Sequence, residues 1–201
     1  MRRGVALALA ILLVGATIGI AACSPAASPE PNYTEVPIGP TPWASGTTGQ
    51  YGLHIDPSLL AKLPRSVAAQ PLVEDGGIEG SAMDNADLAK TFDNYAAASV
   101  GQIADTDWVS VVIGHLRDQS TESDILPAWA DQYAAGSCSQ ANGVASSSQG
   151  QVGDWQVFES VCSGGVSYDV YTLSLGSGLI LSVFEGGANH WGRQLIEAIY
   201  F

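Results

Sequence analysis

From Val152 to Phe184 the chain is punctuated by glycine at short intervals: Gly153-Asp154, then Gly164-Gly165, then Gly176-Ser177-Gly178. The segments beside these breaks are β-type. Trp155–Cys162 alternates, Val166–Leu173 alternates weakly, and Leu179–Phe184 is an almost continuous apolar run. Parallel neighbours need a crossover of about a dozen residues, whereas a break of two or three residues returns the chain only as a hairpin. This part of the chain therefore reads as an antiparallel meander.

Upstream of the meander the pattern is mixed. Asp56-Pro57-Ser58 caps a short helical turn with Leu59, Leu60 and Leu63 on its apolar side. Leu72-Val73 reads as a short strand and EDGGIEG (74–80) as a solvated acidic loop. Asp84 or Asn85 caps a helix through about Asn94. Tyr95–Ile103 and Val109–Leu116 then form a hairpin across Ala104–Asp107. A helix runs from about Thr121 to Ala135 with Trp129 and Tyr133 on one face, and Gly136 suits its C-terminal cap. Residues 139–150 read as a Ser/Gly/Asn loop. Asn189 caps a closing helix that buries Trp191, Leu195, Ile196 and Ile199. The sum is an α+β domain: an antiparallel sheet of about five strands with helices packed on one face.

Cys138 falls just past one helix and Cys162 at the end of a strand. Two cysteines at moderate spacing, with no His or CxxC nearby, read as a disulfide rather than a metal site. Closing a loop of about 25 residues stabilises the fold by about 3–3.5 kcal/mol.

The front of the chain carries an address. Arg2 and Arg3 precede an uncharged, mostly apolar run, Val5–Ala22, which ends in small residues without a following basic cluster. That is the layout of an export signal. Ile20-Ala21-Ala22-Cys23 resembles the lipobox of bacterial lipoproteins. The resemblance implies cleavage before Cys23, diacylation of its thiol and a lipid-anchored protein on the extracytoplasmic face of the cell membrane. Two or more acyl chains hold a protein stably, where one anchors only reversibly.

Residues 23–50 then hold six of the ten prolines among Ser, Thr and Gly, a composition that extends rather than folds. They read as a tether, leaving 51–201 as one domain. The formal charge is −13, and −15 once Arg2 and Arg3 are removed with the signal. Nucleic-acid binding requires phosphate neutralisation by Lys and Arg, so that class is excluded.

No catalytic constellation emerges from the residue pattern. GxSxG, HExxH, CxxC, GxxxxGK and GxGxxG are all missing, so neither a catalytic residue, a metal ligand nor a cofactor is assigned. The pair Asp84/Asp87 is explained by helix capping. Trp108, Trp155 and His115 stand as candidate ligand contacts, the tryptophans because flat aromatic faces stack on sugars. The element order over 85–201 loosely resembles the PsbP-like fold, and no functional residue follows from that likeness. The expected function is a membrane-anchored envelope lipoprotein that binds a ligand or an envelope protein. A hydrolase built from scattered Asp, Glu and His, or a structural envelope component, are the alternatives.

Overall fold

The structure is a computed structural model and describes residues 46–101, 106–164 and 167–199, all within the compact unit Gly39–Phe201. Cys23 and the expected tether as far as residue 45 lie outside the described residues, as does part of the expected 104–107 turn; residues 46–50 are described, with the Gly46 N–H donating to the Ile55 carbonyl.

The first strand, β1 (His54–Ile55), leads into a 3-10 turn at Pro57–Lys62. Asp56 caps that turn, as expected, accepting from the Ser58 N–H at 3.0 Å. Two short strands, β2 (Ser66–Val67) and β3 (Gln70–Pro71), pair with each other, and β4 (Val73–Glu74) follows. Helices α1 (Gly76–Met83) and α2 (Ala86–Thr91) come next, the latter capped by Asn85. The long hairpin is β5 (Phe92–Val100) and β6 (Trp108–Leu116). After it comes α3 (Glu122–Ser137), which accommodates Pro127 within its length. The meander is β7 (Val144–Val152), β8 (Trp155–Cys162), β9 (Tyr168–Gly176) and β10 (Leu179–Gly186), and α4 (Trp191–Glu197) closes the described chain.

The sheet is larger than expected and is not purely antiparallel. It has eight strands in the order β1-β5-β6-β10-β9-β8-β7, with β4 also on β5. The pair β1/β5 is parallel. The strand missed most completely is β7, placed in a loop by its Ser-Ser-Ser-Gln sequence. It forms the sheet edge and leaves most of its residues exposed. A strand with neither face covered has no reason to alternate, so the period-2 signal is absent.

Helices lie on both faces of the sheet, which corrects the expected one-sided arrangement. Successive strand residues point to opposite faces. Ser182 of β10 accepts from the Trp129 indole N–H of α3 at 2.9 Å, while Glu185, three residues on, accepts from the Gly192 N–H of α4. On the α3 side, α1 and α2 add Ala82, Met83 and Ala89 to a core containing Phe92, Tyr95, Val112 and Ile180. On the α4 side, Leu195 and Ile196 pack with Val111, Leu173, Leu181 and Val183. Burial on both faces explains why Leu179–Phe184 is almost continuously apolar, with Ser182 the one polar residue in the run.

The acidic segment 74–80 is likewise not a loop. Asp75 caps α1 through the Gly77 and Ile78 N–H groups. Glu79 is fully buried, and its Oε1 accepts from the Ala97 N–H at 3.2 Å. The register explains the need for it. On that edge β1 covers Asn94 and Tyr95 while β4 covers Ala98 and Ser99, so the carboxylate satisfies a backbone donor in the gap. The Cys138–Cys162 disulfide is formed, with Cα atoms 5.2 Å apart, and ties the end of α3 to the end of β8.

Candidate functional site

The β9/β10 register places Asp169 directly opposite Glu185. Residues so paired share a face, with Cβ atoms about 4.5–5.5 Å apart, and like charges there repel. Both side chains are buried, Asp169 at 8% exposure and Glu185 at 1%. Between described residues, the ion pairs made by lysine and arginine are Lys90–Asp87 and Arg193–Glu197, so neither buried carboxylate receives one.

Three groups approach Glu185. The Tyr171 hydroxyl, two residues along β9 on the same face, donates to Oε1 at 3.1 Å. The Gly192 N–H donates to Oε2, so a strand carboxylate does the capping work at the start of α4 that Asn189 was expected to do. Asn189 is instead held by Asp107, through its backbone N–H and its side-chain amide. His190 is the third neighbour. It takes a left-handed backbone conformation, φ 48°, which directs its Nδ1 to 3.4 Å from Glu185 Oε1 and 3.5 Å from Asp169 Oδ2. Donor atoms of Asp169, Glu185 and His190 all lie within 4.8 Å of one another.

Burial pushes the Glu185 carboxyl above its ordinary 4.5, offset only in part by the Gly192 and Tyr171 hydrogen bonds and reinforced by the Asp169 charge. Burial also raises Asp169, against the opposing pull of His190. The Tyr171 phenol is pushed up as well, by burial first and then by the surrounding carboxylates. Two acidic side chains face each other in a dry setting, with one half-exposed imidazole at the rim. Because neither carboxylate is open to solvent, the pair is better arranged to hold a small cation than to flank a sugar ring.

A second histidine offers a contrast. His115 Nδ1 lies 2.7 Å from Asp93 Oδ1, and the Gln119 amide reaches its Nε2 at 3.0 Å. Burial works against the charged form of Asp93, but hydrogen bonds from His115 and Asn94 outweigh it and hold the carboxyl below 3.8. In this half-buried chain both ring nitrogens of His115 have protein partners. Of the tryptophans proposed as contacts, Trp108 is 3% exposed and wedged against Tyr168 and Phe184, so it is a core residue. Trp155 is partly buried against the α4-side core. The structure does not bring Trp108, Trp155 and His115 together: His115 pairs across β10 at Leu179, the opposite end from Gly186, which pairs with Trp108.

The sequence reading missed Asp169 and Glu185 and treated His190 only as a residue at a helix start. The available signal was slight: an acidic residue ending the apolar run Leu179–Phe184, and an aspartate inside a strand that alternates weakly. Compared with protein-family models, curated proteins and solved structures, the chain matches none.

Proposed function

We propose that the chain is an acylated, extracytoplasmic lipoprotein whose folded domain is a non-enzymatic binding module, with Asp169, Glu185 and His190 as its ligand site. The observation that supports this most directly is the Cys138–Cys162 bridge, since such bonds persist in oxidising compartments outside the cytoplasm. It agrees with the reading of Ile20–Cys23 as a lipobox, which supplies the membrane attachment. The binding role draws on a cluster made of acceptors, with no nucleophile–base pair built into it.

Expression with labelled palmitate, followed by mass spectrometry of the membrane fraction, tests the anchor. The expected product begins at an acylated Cys23 and carries no free thiol at Cys138 or Cys162, and Cys23→Ser takes up no label. An unprocessed N-terminus retaining residues 1–22, or free thiols at both cysteines, refutes the reading.

A further inference from the structure

The geometry points to a divalent metal ion of the zinc class bound by Asp169 Oδ2, Glu185 Oε1 and His190 Nδ1. This names the ligand of the proposed binding site, and it rests on that reading only for its cellular setting.

The distances carry the argument. A histidinium paired with a carboxylate makes a short charge-assisted bond, about 2.7–2.9 Å. His115 and Asp93 reach that length at 2.7 Å. His190 does not: its Nδ1 stands 3.4 and 3.5 Å from two carboxylates at once. Zinc binds imidazole nitrogen and carboxylate oxygen at about 2.0–2.2 Å, so the edge between two ligands of a tetrahedral ion is about 3.3–3.6 Å. Both separations fall in that interval: within ion-pair range but longer than a charge-assisted hydrogen bond, and right for two atoms sharing a metal.

The buried aspartate supplies a separate observation. Asp169 is buried, with 11% of its side chain exposed, and it faces the cluster, where His190 at 3.5 Å is its partner among the described residues. A buried carboxylate left in that state is costly, and a dication removes the cost along with the repulsion from Glu185.

The remaining interactions resemble the support a metal ligand receives. Tyr171 donates to Glu185 Oε1 and Gly192 to Oε2, which fixes the orientation of that carboxylate. One nitrogen and two oxygens suit zinc. Calcium takes six to eight oxygen ligands and magnesium an octahedral oxygen set, which three side chains do not provide. Three protein ligands leave the fourth tetrahedral position to solvent at the exposed rim by His190.

The test uses the purified, full-length processed chain in detergent, stripped with chelator and titrated with zinc chloride by calorimetry and metal analysis. The expected result is one zinc per chain, with calcium and magnesium failing to compete. His190→Ala, a change at a half-exposed side chain, weakens binding about 100-fold, and Tyr171→Phe about tenfold. Asp169→Asn abolishes stoichiometric binding, and His54→Ala binds as the parent does. Absence of saturable zinc binding overturns the inference. So does equal competition by calcium, or parental affinity in His190→Ala with an unchanged circular dichroism spectrum. Acylation at Cys23 is read by mass on the same preparation, so loss of the anchor and loss of the metal are separate failures.

Discussion

Removing the disulfide through the double change Cys138→Ala/Cys162→Ala isolates one structural contribution that can be worked from the chain. The bridge spans a sequence separation of 24. Loop-closure entropy for that length is about 11.6 cal/mol/K, or about 3.4 kcal/mol at 25 °C, taken from the unfolded state. Both sulfurs are buried, Cys138 at 0% and Cys162 at 4% exposure, so truncation to alanine adds a small packing loss to the entropic one. Reduction with dithiothreitol keeps the sulfur atoms and removes only the cross-link, so it should cost slightly less than the double variant. Urea melts of the oxidised parent, reduced parent and double variant should give stabilities lower by about 3 kcal/mol or more in the latter two. The melting temperature should fall by about 7–13 °C, and m should rise because the unfolded chain expands further. A loss below about 1 kcal/mol, or an unchanged m, would refute the claim that the bridge acts by restricting the unfolded chain.

Other perturbations test the core and the buried acids. Glu79 has its carboxyl raised above 4.5, chiefly by burial, and its Oε2 has no hydrogen-bond partner among the described residues. A raised folded pKa means its contribution is complete below the unfolded pKa and lost as pH climbs through the folded one. Glu79→Gln should therefore gain on the parent by about 1–3 kcal/mol between acidic and neutral pH in urea melts, and a pH-independent difference would contradict this. Trp129→Phe removes the indole donor to Ser182 and part of a ring packed edge-on against Phe92, so calorimetric unfolding should show a loss of about 2–4 kcal/mol. Gly114→Ala would place a Cβ 2.5 Å from the Phe92 ring, and overpacking of that kind should cost about 1–3 kcal/mol by chemical denaturation.

How much was legible in advance varied with how local the signal was. The three hairpins announced themselves because a turn is decided by a few consecutive residues, and Asp56 and Asn85 cap where their neighbours indicated. The alanine-rich run 95–98 has a composition that suits a helix as well as a strand. It is a strand because it is buried on both faces between β6 and the short strands β1 and β4. Helix α2 ends at Thr91 rather than near Asn94, since Phe92 is claimed by Leu116 across the hairpin and by the ring of Trp129. Glu79 looked like part of a solvated loop, and only the gap between β1 and β4 explains why a carboxylate is drawn inside.

The sequence by itself determined the punctuation of this protein: where the chain turns, which segments are amphipathic, the pairing of its two late cysteines and the acidic balance. Those properties depend on neighbours within a few residues or on simple sums. The tertiary structure alone decided that helices cover both faces of the sheet and that β7 closes its edge. It also decided that Asp169 and Glu185 stand side by side beneath His190. Strand register sets that last encounter, and register arises from the packing of whole strands, so no short window of sequence contains it.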